Sequence, residues 1–423
     1  MKQKHHRMLC AFCALVILVS TVFPTAAFAE QPVDAAAAEQ TLTRADAAEM
    51  QQADAAVTAL TESEQYQEMD TDARKDAALA QLDTLAAKGF VEKDSIYTDE
   101  ENGMVSFRYP CGVLGGILLT EPEDETLDEE NAGTETASNA LSLRLPPDLG
   151  AEMQKSRAAL LRRTENQAVE KFGTAVIYYA FDNTINSSRF PYYSYMQGFW
   201  SALGLETKIN IHVTVADLKK MGNYNVGVLS AHGSYYTYSY GKFLKRTRTE
   251  PIMLLTEEST FGKDLRYGFD LLAHRVIKVN GMYCVTSDFF RNAYKGGKLS
   301  NTIVYSETCE FLGVDGSEDN AMADALLSGG AQAVIGYVNN VYTVYSRSML
   351  WDTINHLIMG QNVGQALEHA KATYGEDDLI WYHAQGGRRP HAAASYAVLY
   401  GNSQAALHVP ESNRSMFNAD LAA

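Results

Sequence analysis

From Thr174 onward the chain alternates between short runs that are apolar throughout and longer segments that are apolar on one side only. "TAVIYYAF", "NVGVLSAHG" (opened by Asn225), "TIVYSETC" and "AQAVIGYV" are rich in β-branched residues and nearly continuous in hydrophobicity. That is the pattern of strands buried on both faces. "KINIHVTV" adds a strand near the start and "SYAVLYG" one near the end. Between them, "YYSYMQGFWSALG" predicts an amphipathic helix ending at Gly204, and "ADLKKMG" a short helix. "NAMADALLSGG" predicts a helix closed by Gly329-Gly330, and "MLWDTINHLIMGQNVGQALEHAKATYG" two helical segments around Gly360. Repeated strand–helix order of this kind predicts an α/β domain over 172–409, with a mostly parallel sheet covered by helices on both faces. A long insertion separates "NVGVLSAHG" from "TIVYSETC". It begins with "SYYTYSYGKF", whose alternation puts Tyr236, Tyr238 and Tyr240 on one side of a strand. Residues 410–423 are read as a tail.

Upstream the pattern is different. Residues 30–62 are Ala-, Gln- and acid-rich and read as poorly ordered or loosely helical. From Ser63 to Leu119 a small α+β unit is expected. "TDARKDAALAQLDTLAAKG" predicts a helix capped by Thr71 or Asp72 and ended by Gly89. "IYTDEENGMVSFRYP" predicts a hairpin turning at Asn102-Gly103, and "VLGGILL" a third strand. Residues 30–120 are thus a candidate prodomain, joined to the α/β domain by residues 121–171. Glu121–Thr136 holds eight acids and no Lys or Arg, the composition of a solvated linker, and "MQKSRAALLRRTENQ" follows as a basic helix-like connector. Residues 1–29 read as a secretory signal peptide: Lys2, Lys4 and Arg7, an apolar run from Met8 to Phe23, and the small-x-small site Ala27-Phe28-Ala29. The expectation is an exported protein with no membrane attachment once the signal is removed.

Charge and cysteine usage narrow the chemistry. A formal net charge of −17 makes nucleic acid and anionic lipid poor partners. Cys10 and Cys13 fall in the signal, leaving Cys111, Cys284 and Cys309, an odd number that leaves a thiol free or paired to another chain. No cofactor is expected. The acidic loop "VDGSEDN" is a candidate calcium site, although it lacks the ligand spacing of a dedicated calcium loop.

In open parallel sheets, ligands bind beyond the carboxyl ends of the strands. Two predicted strands end in reactive residues: "VLSAHGS" places His232 and Gly233 just past its apolar run, and "IVYSETCEFLG" does the same for Cys309. If the two strands are neighbours, a thiol and an imidazole emerge on one edge. A cysteine nucleophile with an imidazole to manage protons is the minimum for peptide-bond cleavage. The Gly233 and Cys309 N–H groups are candidate oxyanion donors. The alternative is a satisfied histidine and an inert buried thiol.

The two blocks together resemble the caspase-like cysteine peptidases, the group containing caspases, legumain, clostripain and gingipains. "SETCE" is similar to the Glu-Ala-Cys-Glu context of legumain, the Asp-Ala-Cys of clostripain-like enzymes and the Asp-Thr-Cys of the GPI transamidase. The block "NAMADALLSGGAQAVIGYVNNVYT…NVGQALEHAKATYG" resembles gingipain-like and CHAT-type members, and "YAVLYGNSQAAL" resembles the end of gingipain-like catalytic domains. The resemblance covers about residues 172 to 409. It implies a caspase-like fold and a cysteine endopeptidase acting on a peptide or protein substrate, and says nothing of residues 30–150; with the signal peptide and the prodomain-like unit, a secreted zymogen is expected. Cys309 matches the nucleophile, His232 the general base and acid, and Gly233 with Cys309 the oxyanion donors. Glu307 matches the position where clostripain-like enzymes keep the acid of the pocket for the residue before the scissile bond (P1). If the strand persists to Cys309, Glu307 lies on the same face as the nucleophile. A buried carboxylate needs a partner, which an Arg or Lys of the substrate would supply. Cleavage after Arg or Lys is therefore expected, and self-processing would then fall at Arg157, Arg162 or Arg163. Asparagine-specific legumain-like hydrolysis, transpeptidation, and a catalytically inactive surface-binding module are the alternatives. Asn339, Asn340 and Asp288 are further candidates for the substrate pocket, each with a plainer reading as loop or cap.

Overall fold

The computed structural model describes residues 41–119, 148–164, 169–181, 191–241, 244–384 and 393–418. The expected signal peptide, the whole acidic linker Glu121–Thr136 and the end of the tail lie outside them. The first described element takes the helical form of the two expected for residues 30–62, and is a regular, capped helix. Arg44–Thr61 is a helix opened by a capping box: the Thr43 hydroxyl accepts from the Asp46 N–H at 3.1 Å, and the Asp46 carboxylate accepts from the Thr43 N–H at 2.8 Å. Its buried side is Ala47, Met50, Ala53 and Val57, a helical spacing of mostly small residues that reads as low hydrophobicity in the sequence. After the turn Glu64–Gln67 comes the expected helix Thr71–Ala87, ending at Gly89 with φ of +79°. Its cap is Asp70, not Thr71 or Asp72: the carboxylate accepts from the Ala73 N–H at 2.8 Å. Strands β1 (Tyr97–Asp99) and β2 (Met104–Arg108) make the predicted hairpin, and β3 (Leu114–Leu118) adds the third strand.

The helix Leu149–Thr164 leads to β4 (Gly173–Ala180), the helix Tyr192–Ala202 and β5 (Leu205–Asn210). A single turn of helix, Val215–Leu218, precedes β6 (Val226–Ala231), which runs almost directly into β7 (Gly233–Tyr240). The insertion continues with β8 (Arg246–Glu258), the helix Phe261–Leu272, β9 (Val276–Val279), β10 (Met282–Thr286) and the helix Ser287–Ala293. Then come β11 (Ile303–Ser306), the small ribbon β12 (Gly313–Val314) and β13 (Ser317–Glu318), the helix Ala321–Ser328 and β14 (Ala333–Val338). Helices Thr343–Ile358, Val363–Tyr374 and Leu379–Ala384 precede β15 (Tyr396–Gly401) and the closing helix Glu411–Asn418.

The main sheet has six strands in the order β15-β14-β11-β6-β4-β5, parallel except for β15, and helices cover both faces. Alternation along each strand sends residues to two separate cores. In β4, Val176, Tyr178 and Ala180 face one core while Ala175, Ile177 and Tyr179 face the other. This is the α/β architecture expected over 172–409. The order also explains where a site belongs: β4 connects outward to β5, and the chain then returns to place β6 on the other side of β4. The carboxyl ends of β4 and β6 therefore flank a switch point.

The insertion and the N-terminal strands together build a second sheet, of seven strands in the order β1-β2-β3-β9-β10-β8-β7. It curls until its ends approach: Arg108 on β2 donates to the Ser239 carbonyl on β7 at 2.8 Å, and Tyr236 on β7 donates to the Gly115 carbonyl on β3 at 2.7 Å. Its concave side holds Met104, Leu114, Tyr236, Tyr238, Ile277 and Cys284 as a small core of its own. Residues 41–119 therefore do not close as a separate α+β unit. β3 pairs with β9 some 160 positions later in the chain, through Gly115↔Lys278 and Gly116↔Val279, and the described residues from Thr41 onward pack as one compact unit.

A buried charge network fastens the same junction. Lys278, 1% exposed, pairs with Asp54 of the first helix and, at 2.9 Å, with Asp264 of the helix Phe261–Leu272. Tyr109 donates to Asp54, Tyr283 to Asp264 at 2.8 Å, and Gln51 to Asp264 at 2.9 Å. Two carboxylates and one ammonium out of water hold only when each lone pair is met this way.

Candidate active site

Three adjacent parallel strands end at the same edge of the main sheet. β4 gives way to Phe181, β6 to His232, and β11 to the turn carrying Cys309. The Phe181 ring stands edge-on to the His232 imidazole, with centroids 4.6 Å apart and planes at 88°. The His232 carbonyl accepts from the Leu254 N–H at 2.9 Å, so β8 of the second sheet pins the backbone where the chain crosses between sheets.

Cys309 is positioned from both sides. The Glu307 N–H donates to the Leu229 carbonyl at 2.8 Å, which extends the β11–β6 pairing one residue past the strand. The Thr308 N–H turns back onto the Ser306 hydroxyl at 3.2 Å. Glu310 takes a left-handed conformation (φ +54°) and donates its N–H to the Asn339 carbonyl at 2.9 Å. A non-glycine residue there is an uncommon backbone choice, and it makes the chain reverse directly after Cys309. The half-buried thiol lies 3.8 Å from the Val341 carbonyl.

Gly233 joins the two halves. A Cβ on Gly233 would lie 2.1 Å from the Cys309 carbonyl oxygen and 2.5 Å from the Thr308 methyl. The backbone after His232 and the backbone of Cys309 are therefore in direct contact, closer than any side chain would permit. All three described cysteines are free. Burial raises the pKa of fully buried Cys284 and pushes that of Cys111, beside Met50, up to about 11. Neither is placed to act as a thiolate at neutral pH.

Glu307 differs from expectation. The strand stops at Ser306, so it does not persist to Cys309, and Glu307 is 3% exposed, its carboxylate turned inward. It accepts from Tyr193 at 3.0 Å and from Ser346 at 3.5 Å; Tyr193 also meets Ser230 at 3.2 Å. Burial pushes its pKa up to about 7, opposed chiefly by the positive charge of Arg347. The Arg347 guanidinium lies over the rings of Tyr192 and Tyr193, at 4.6 and 5.2 Å. The cation that a substrate was expected to supply is thus present internally, on the helix Thr343–Ile358. The signal for it is an arginine within "TVYSRSML", an otherwise buried helical stretch.

The remaining candidates separate. Asn339 is buried with its side chain committed to backbone: its carbonyl oxygen accepts from the Gly316 N–H and its amide donates to the Ala394 carbonyl, both at 2.9 Å. It shapes the turn behind Cys309, with both side-chain polar atoms already engaged by backbone. Asn340 is exposed beyond the end of β14. Asp288 is ion-paired to Arg291 and, at 3.3 Å, to Arg248. Its carboxylate is therefore committed to two arginines of the second sheet and its flanking helix, although the preceding Thr286 pairs with Ile252, itself opposite Ser234. Tyr236 and Tyr238 are buried in that sheet's own core. Arg157 is exposed on the helix Leu149–Thr164, which also contains Arg162 and Arg163; a cut at any of them requires local unwinding. In the loop 314–320, Asp319 accepts from Tyr235 at 3.0 Å and Glu318 from Tyr400 at 2.7 Å, so these two acids turn to different partners. No helix among the described residues is long and apolar enough to cross a membrane.

No model of a known protein family matches the chain, and no curated protein sequence does.

Proposed function

We propose that this protein is an exported cysteine endopeptidase of caspase-like type, with Cys309 as nucleophile and His232 as general base and acid. The observation that carries the reading is the backbone contact of Gly233 with Cys309 at the carboxyl edge of a parallel sheet, with the imidazole one residue away. In the proposed reaction the Cys309 thiolate attacks the scissile carbonyl and His232 protonates the departing amine. Water then attacks the thioester, giving up its proton to His232, and frees the thiol. The N–H groups of Gly233 and Cys309 are assigned to the developing oxyanion. Phe181 limits the orientations open to the imidazole.

Preference for Arg or Lys before the scissile bond rests on Glu307, and Arg347 already offsets that charge. The test is a panel of fluorogenic peptides ending in Arg, Lys, Asn or Asp, together with labelling by an acyloxymethyl ketone probe. Cleavage and labelling that both vanish in Cys309→Ala and His232→Ala are expected. Failure of wild-type protein to cleave any peptide or to label at Cys309 refutes the peptidase and favours a binding module. Strong preference for Asp refutes the expectation of cleavage after Arg or Lys.

A further inference from the structure

We propose that Asp352, His356 and His369 form a binding site for one zinc-class divalent cation, separate from Cys309 and His232. Asp352 and His356 are four residues apart on the helix Thr343–Ile358, so they share a face. His369 faces them from the next helix, Val363–Tyr374, after the chain reverses at Gly360 with φ of +90°. One Asp352 oxygen lies 2.7 Å from His369 Nδ1 and the other 3.7 Å from His356 Nε2. The three candidate ligand atoms all lie within 4.8 Å of one another. Zinc takes nitrogen and oxygen ligands at about 2.0–2.2 Å, which places neighbouring corners of a tetrahedron roughly 3.3 Å apart. The observed 2.7 and 3.7 Å spacings lie on either side of that value, so the side chains must shift to take up the ion, the two rings spreading from their present centroid separation of 3.7 Å.

An ordinary ion pair does not account for the whole arrangement. His356 is 4% exposed, yet its Nε2 stands 3.7 Å from the Asp352 carboxylate, beyond hydrogen-bond reach, and its Nδ1 is buried with no hydrogen-bond partner, whereas buried polar atoms are normally paired. The two imidazole rings face each other at 3.7 Å with a 33° tilt, converging on one carboxylate. Two imidazoles and one carboxylate suit zinc and its first-row neighbours; calcium and magnesium favour all-oxygen shells. Three protein ligands leave a position for water, and His369, with its side chain 43% exposed, gives access from solvent. The ion would fasten two helices together. One of them also presents Ser346 and Arg347 to Glu307, so the clip bears on the packing beneath Cys309 without touching it.

The test uses the full chain, untagged and carrying Cys309→Ala so that a thiolate–imidazole pair cannot bind metal. After chelator treatment it is titrated with zinc chloride by calorimetry, melted with and without zinc, and loaded with Co²⁺ for visible spectroscopy. One equivalent of zinc, a melting temperature that rises with zinc, and a tetrahedral or five-coordinate Co²⁺ spectrum are expected. His369→Ala, at an exposed position, and Asp352→Asn should each weaken binding about tenfold or more, with melting of the metal-free variants reporting their folding. Absence of a zinc-dependent melting shift overturns the proposal. So does binding unchanged in His369→Ala, or calcium bound as tightly as zinc.

Discussion

Replacing Gly233 with alanine tests the geometry on which the candidate active site rests. The new Cβ would sit 2.1 Å from the Cys309 carbonyl oxygen, and real Cβ atoms essentially never come within 3.0 Å of another heavy atom. Something must therefore move by about 0.9 Å. The listening side cannot yield freely: Cys309 is flanked by the Glu307–Leu229 and Glu310–Asn339 backbone bonds, at 2.8 and 2.9 Å. The Thr308 methyl, 2.5 Å from the new atom, blocks the other direction. Overpacking of this kind costs about 1–3 kcal/mol of stability. Its effect on chemistry should be larger, because a misplacement of roughly 1 Å costs about 100-fold and loss of one oxyanion donor about 10²–10³-fold. The expected result is that the acyloxymethyl ketone probe labels Cys309 in Gly233→Ala at least about 100-fold more slowly, which is ~2.7 kcal/mol of barrier. The control is Gly262→Ala, an exposed helical glycine with nothing within 4 Å of its added carbon; circular dichroism and melting are recorded for both. If Gly233→Ala stays folded and labels at the rate of Gly262→Ala, the two backbones are not in the contact described and the assignment of Gly233 fails.

Other outcomes follow from the buried charges. Burial raises the pKa of each of Glu307, Glu250 and Glu310 from 4.5 to about 7, so the native state holds these protons more tightly than the unfolded chain. Their contribution to stability is present in full below about pH 4.5 and is lost as pH rises through 7. Urea midpoints should accordingly fall between pH 5 and 8, and Glu307→Gln should flatten part of that slope; a midpoint that rises over this range refutes the assignment. Arg347→Met leaves Glu307 without its internal cation and should destabilise by about 3–5 kcal/mol at pH 8, less at pH 5, with Glu307→Gln/Arg347→Met recovering most of the loss. Equal losses at both pH values would show that Arg347 acts only through packing. Lys278→Met strands Asp54 and Asp264 and should cost a similar 3–5 kcal/mol in chemical denaturation; Asp54→Asn/Lys278→Met should be milder than Lys278→Met alone. A chain nicked between residues 120 and 147 should keep its N-terminal fragment through native gel filtration, because β3 and Asp54 remain bound to β9 and Lys278. Separation of the fragments without denaturant would show the junction to be weak.

The last of these measurements bears on what a prodomain means here. The sequence suggests a removable unit behind an acidic linker, and the same residues supply β1, β2 and β3 to a seven-stranded sheet. Cutting the linker would leave a two-piece molecule, and release of residues 41–119 would strip an edge from that sheet and uncover Lys278.

Local pattern alone was enough for the elements whose signals are local. Continuous apolar runs marked β4, β6, β11 and β14, because a strand buried on both faces needs no polar alternation. Glycines marked the helix ends at 89, 204 and 360, where the backbone takes positive φ. The pairing of His232-Gly233 with Cys309 was legible for the same reason: both blocks follow apolar strands, and neighbouring parallel strands bring their carboxyl ends together. What only the tertiary structure decided was who satisfies whom. The sequence marks Glu307 as a buried carboxylate in need of a partner, while the commitments of Asn339, Asp288 and Lys278 emerge only in the structure. Their partners lie 39, 55, 40 and 224 positions away, at Ser346, Ala394, Arg248 and Asp54. Residue type states what a buried charge or amide requires; which group supplies it depends on distances that exist only once the strands have paired and the helices have packed.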